Sequence, residues 1–160
     1  MLPIIAFAAA LAALPACAAD QLSLGFDAEN GAFNGMSHGG ALLVIRNVGT
    51  RPCRLAALPR LTFNDGAGKP LPIVRRAPPG MHPGPAVPPV GIAAGAEVTA
   101  PLRWVSGEVY DKSRCLTPAS AAVAIGSGTT QTAFSARICG PAGSDATFDQ
   151  PPLKPDPVLR

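Results

Sequence analysis

Charge is the first thing this chain lacks: only 14% of its 160 residues are Asp, Glu, Lys or Arg. The 13 basic residues outnumber the 10 acidic ones by three, and they are spread singly or in pairs such as Arg75-Arg76. Arg51, Arg54 and Arg60 form the only other cluster. A nucleic-acid-binding surface asks for a dense basic stripe interleaved with aromatics. With aromatics at 5%, no such stripe exists, and nucleic acid is excluded as the expected partner. No pair of cysteines is spaced C-x-x-C, which removes local support for a zinc knuckle or a thioredoxin-type site. No G-x-S-x-G elbow is present to expose a nucleophilic serine. Glu108 and Asp111, near Trp104 and Tyr110, are the only carboxylate pair beside aromatics. Glycosidase chemistry needs two facing carboxyls with separately tuned environments, and this pair gives no sign of that. A non-enzymatic protein is expected.

What the chain has in quantity is Gly and Pro, 17 and 19 residues. Both break helices, so the composition favours many short strands joined by turns. A hydrophobic fraction of 48% is enough to build a core.

Residues 2–19 read LPIIAFAAALAALPACAA, without a charge, and precede Asp20-Gln21. An apolar run ending in small residues has the form of an export leader. Cleavage after Ala19 is the expected boundary, with residues 20–149 as the folded domain. The alternative is a lipoprotein signal, because Leu14-Pro15-Ala16-Cys17 has the form L-x-A-C, in which Cys17 is lipidated. Membrane attachment is expected only through that anchor. A spanning helix needs about 20 apolar residues with flanking cations; this run is Ala-rich, holds Pro3 and Pro15, and has no such flanks.

Along the rest of the chain, Leu22–Phe26 alternates, and Ala41–Ile45 is a continuous apolar run suited to a central strand. Cys53 to Leu55 and Leu61–Phe63 continue as strands. The Asp65-Gly66 step predicts a hairpin with Leu71–Val74 returning. Between Ala77 and Pro89 six of thirteen residues are proline, which predicts an extended surface loop. Glu97–Val105 is a strand whose Pro101 demands an edge or a bulge. Ala121–Ile125 and Thr132–Ala136 predict a hairpin, and Ala146–Phe148 a last short strand. Residues 150–160 hold four prolines and are expected to be extended and mobile. The sum is about 7–8 short strands with turns roughly every 8–12 residues, the pattern of an all-β, antiparallel, immunoglobulin-like β-sandwich.

With Cys17 removed, Cys53, Cys115 and Cys139 remain. Cys115 and Cys139 flank the Ala121–Ala136 hairpin, whose ends lie close, so they are the expected disulfide. Cys53 is then a packed thiol. The competing pairing joins Cys53 to Cys115.

The segment Asn47-Val48-Gly49-Thr50-Arg51-Pro52-Cys53-Arg54-Leu55, with Leu58-Pro59 after it, resembles the N-x-G-x-x-x-C-x-L-x-x-x-P stretch of the domain of unknown function (DUF) 4232 family. Ala94-Gly95-Ala96-Glu97 and the strand to Trp104 resemble that family's Pro-Gly-x-x-Ala step, with Ala94 in place of the usual Pro. Cys115-Leu116-Thr117-Pro118 and Cys139-Gly140 fall where its later cysteines lie. The resemblance runs from about Leu22 to Phe148. It implies a bacterial, exported or lipid-anchored β-sandwich and carries no activity to transfer.

The expected function is therefore an exported cell-envelope domain that binds or scaffolds an envelope protein or small ligand through its loops. A second reading is a periplasmic copper-binding protein. Met36 and His38 lie in one Gly-rich loop and Met81 and His82 in the proline loop, and thioether with imidazole suits Cu(I). No other cofactor is expected.

Overall fold

The structure is a computed structural model that describes residues 14–77 and 87–156. The expected leader up to Ala13, the proline-loop residues Met81 and His82, and the last four residues lie outside the described residues.

The described chain is all-β. Its strands are β1 (Leu22–Asp27), β2 (His38–Asn47), β3 (Cys53–Leu55), β4 (Leu61–Asn64) and β5 (Ile73–Arg75). After the proline loop come β6 (Val90–Ile92), β7 (Glu97–Val105), β8 (Ser113–Leu116) and β9 (Ser120–Ile125). The chain then forms β10 (Gly128–Ala133), β11 (Ile138–Pro141), β12 (Ala146–Asp149) and β13 (Lys154–Pro155). These exceed the expected seven or eight because several are only two to four residues long, cut short by the prolines and glycines around them.

The largest sheet runs β1-β2-β7-β12-β5, with β13 also pairing β7. The other sheets are β10-β9-β4, β11-β8 and β3-β6. All pairings between these strands are antiparallel except β12 with β5, which is parallel. The expected return of Leu71–Val74 onto β4 therefore holds only at its root. Asn64 bridges Pro70 and the Leu71 amide donates to the Phe63 carbonyl, before the chain leaves to join β12.

Strands β2 and β7 form the spine. Their alternation puts Ala41, Leu43 and Ile45 opposite Leu102, Ala100 and Val98, all buried. Pro101 sits in this inner strand without breaking the sheet. On the edge of β7 away from β2, β13 registers against Val98 and Thr99, and β12 against Arg103 and Trp104. Pro101 falls in the gap between those two short strands, so the expected edge position is met locally.

Side chains from different sheets meet in one aromatic cluster. Phe134, just after β10, has ring centroids 4.6 Å from Phe26, 5.0 Å from Phe63 and 5.8 Å from Trp104. Phe63 meets Phe148 edge-on at 5.2 Å. Such tilted and T-shaped contacts suit the ring quadrupoles.

Residues 150–156 are docked where the sequence suggested mobility. Gln150 and Leu153 are buried, the Leu153 amide donates to Ala57, and Lys154-Pro155 pairs with β7. Prolines deny this stretch ladder donors, but they leave Leu153 able to fill an apolar site.

Candidate functional site

The cysteines pair at two separate places in the domain. Cys115 and Cys139 stand directly opposite each other on β8 and β11 and are disulfide-bonded, the expected pairing. Cys53 is not the packed thiol that the sequence suggested: it is bonded to Cys17, with Cα atoms 4.9 Å apart. All four cysteines are thereby closed. The same bond occupies the Cys17 sulfur, so this disulfide and the expected lipidation at Cys17 exclude one another.

Residues 14–19 are thus docked on the folded domain, and the expected boundary after Ala19 falls at the end of this docked segment. The Arg54 amide donates to Pro15 O at 2.8 Å, and the Cys17 amide donates to Arg54 O at 2.9 Å. Arg54 also reaches Leu14 O through its guanidinium at 3.2 Å. The hydroxyl of Thr130 donates to Ala19 O at 2.7 Å. Cys17 itself is 6% exposed.

Beside this bond lies the Asn47 turn. The fully buried Asn47 donates through Nδ2 to Arg51 O at 2.8 Å and Ile92 O at 3.1 Å, and its Oδ1 accepts from the Gly49 amide at 2.9 Å. Its backbone exchanges hydrogen bonds with Ala96 and Gly95. A Cβ on Gly49 would lie 2.8 Å from Gln21 Cγ and 3.2 Å from Asn47 Oδ1, so a side chain there would force the Gln21 side chain to shift. Each prominent residue of the N-x-G-x-x-x-C-x-L-x-x-x-P stretch consequently has a structural task. Asn47 saturates the turn, Gly49 lets Gln21 approach, Cys53 closes the bond, and Leu55 and Pro59 are buried.

A groove of about 710 Å³ opens next to this turn. Leu14, Pro52, Val90, Ile92, Leu153 and Pro155 are among its lining residues, and Lys154 is the one charged side chain among the described ones. A second hollow of about 420 Å³ lies between Leu58–Thr62 and Pro70–Arg75, with Gln150 in its wall. The Gln150 amide nitrogen donates to Pro59 O at 3.2 Å, whereas its buried Oε1 has no hydrogen-bond partner among the described residues.

Met36 is 94% exposed, and His38, exposed at the start of β2, places Nδ1 2.9 Å from Met36 O. Met81 and His82 lie outside the described residues, so the structure does not address a meeting of the two loops. Among the described residues no three His, Cys, Asp or Glu side chains gather for a metal. Trp104 points into the core, where a Cβ on Gly39 would come within 2.9 Å of its Nε1. It is therefore turned away from the exposed Glu108 and Asp111, and Glu108 faces Arg137 at 3.9 Å. Among the basic residues, Arg76 makes a two-pronged pair with Asp149, at 2.8 and 2.7 Å.

The order of these features is that of a known family. The model of Domain of unknown function (DUF4232) matches residues 17–154, which begins at Cys17 and takes in both disulfides. The chain belongs to the DUF4232 family. No curated protein and no solved structure matches it. Sequence reasoning missed Cys17 as a DUF4232 residue because it sits inside an Ala-rich apolar run. Parity was the available signal: four cysteines pair completely, and three do not.

Proposed function

We propose that this DUF4232 chain is an exported cell-envelope domain, a sandwich-like, immunoglobulin-type scaffold that works by binding rather than by catalysis. The observation that carries the reading is the closure of all four cysteines into two disulfides. Bonds of this kind form and persist in oxidising compartments, whereas cytosolic thiols are kept reduced. The apolar run before Leu14 supports the same address. Among the described residues no helix is long and apolar enough to cross a membrane.

In this reading the contact surface is the groove between β6 and the tail. Its aliphatic and prolyl lining offers burial and almost no polar anchoring. The partner it suits is an extended apolar segment of an envelope protein, not a charged or sugar ligand. Fractionation tests the address: a carboxyl-terminally tagged full chain, made in a bacterial host, is expected in the envelope fraction. Recovery in the cytoplasm with reduced cysteines contradicts it.

A further inference from the structure

The expected cut after Ala19 and the observed bond at Cys17 cannot both describe the mature protein. We propose that the export leader is cut upstream of Leu14, so that Cys17 stays in the mature chain as the partner of Cys53. The proposal rests on the export reading above and adds to it the place of processing.

The argument is what a cut after Ala19 would leave behind. Cys53, 0% exposed, would become a lone thiol in the core, beside Asn47 Nδ2 at 3.8 Å. The amide and carbonyl of Arg54 would lose Pro15 O and the Cys17 amide. The parallel bridge of Ala16 to Arg54, which covers one edge of β3, would vanish. Three cysteines would remain, and one would be unpaired in an oxidising compartment. Lipidation fares no better: the modified Cys17 would be the first residue, so Leu14, Pro15 and Ala16 would be gone and its sulfur occupied.

A cut upstream of Leu14 keeps every one of these contacts. The stretch Ala8–Ala13 supplies the small residues that leader peptidases accept on the leaving side. In that step one peptide C–N bond is hydrolysed. Water gives its oxygen to the new carboxylate of the leader, and the new amino group of the mature chain takes up a proton. The Cys17 and Cys53 thiols then lose two protons and two electrons to a disulfide-bearing envelope oxidant, whose own disulfide is reduced to two thiols.

The test is mass spectrometry of the full chain recovered from the envelope, alkylated before reduction and digested with trypsin. The expected product is a peptide that begins at or before Leu14, ends at Arg46, and is crosslinked to Asn47–Arg54. A mature terminus at Asp20 with Cys53 alkylated overturns the proposal while leaving export standing, as does a diacylated Cys17. A chain with Met1 intact in the cytoplasm overturns the export reading and the proposal together. In the variant Cys53→Ser, Cys17 is expected to remain in the mature chain and to become alkylatable. Its absence from that chain would also overturn the proposal, and the wild-type digest decides the matter if the variant fails to fold.

Discussion

Asn47 Nδ2 donates a hydrogen bond to the carbonyl of Ile92, 45 residues along the chain, and so ties the end of β2 to β6 beside the Cys17–Cys53 bond. The same nitrogen holds Arg51 O, and Oδ1 holds the Gly49 amide. A single buried side chain therefore satisfies backbone groups of the turn and of β6.

Replacing it should be costly. Asn47→Ala strands buried polar groups and is expected to destabilise the domain by about 3 kcal/mol. Asn47→Asp should be as damaging, because a carboxylate cannot donate to the carbonyls of Arg51 and Ile92. Urea denaturation reads both. A midpoint within error of wild type for either variant would show that the turn does not depend on this residue.

The aromatic cluster gives a second expectation. Phe134 touches Phe26, Phe63 and Trp104, which come from three different strands. Phe134→Ala should cost about 3–5 kcal/mol, the range for emptying an aromatic site in a close-packed core. Thr129→Ala, on an exposed position of β10, should change stability by less than about 0.5 kcal/mol. Thermal unfolding followed by circular dichroism compares the two.

Each disulfide should count, and by similar amounts. Cys17–Cys53 closes a separation of 36 residues and Cys115–Cys139 one of 24. Loop-closure entropy gives roughly 4 and 3 kcal/mol for such loops. The double replacements Cys17→Ala/Cys53→Ala and Cys115→Ala/Cys139→Ala are expected to lower the denaturant midpoint to a comparable degree. A null effect of the first would contradict the inclusion of residues 14–21 in the stable fold.

The groove makes a prediction that needs no partner. A neutral solvatochromic dye such as Nile red should bind the native domain with blue-shifted, saturable emission. Val90→Glu places a charge on the groove wall at a half-buried position, and should abolish that signal while leaving the far-ultraviolet spectrum unchanged. Equal emission from the variant would rule the groove out as the dye's site.

Much of the fold was legible because local periodicity and burial agree. Glu97–Val105 reads as a strand by alternation and is β7, and Ala41–Ile45 lies wholly within β2. The hairpin of β9 with β10 was legible in its first arm and its turn, whereas the returning strand is Gly128–Ala133 and overlaps the expected Thr132–Ala136 only at its end. Three features were hidden for physical reasons. Strand β5 finds its partner in β12, 71 or more residues away and parallel, and a turn signal cannot specify a distant partner. Leu153 is buried within a proline-rich tail, because proline sets backbone shape without deciding whether a neighbour packs. Cys17 carries two signals at once, leader-like surroundings and a bonding partner far along the chain, and the nearer signal dominates a local reading. Of the site residues, Cys115 and Cys139 were readable from the hairpin between them. The groove was not, since its walls come from Leu14, Pro52, the residues around β6, and the tail.

The central claim is that this DUF4232 domain lives in an oxidising compartment as a fully bridged chain. The most direct measurement is a thiol count on protein taken from its own cells, trapped with an alkylating agent before and after reduction. The account predicts no alkylation before reduction and modification of Cys17, Cys53, Cys115 and Cys139 after it. Thiols open to the reagent before reduction, at either pair, would contradict it.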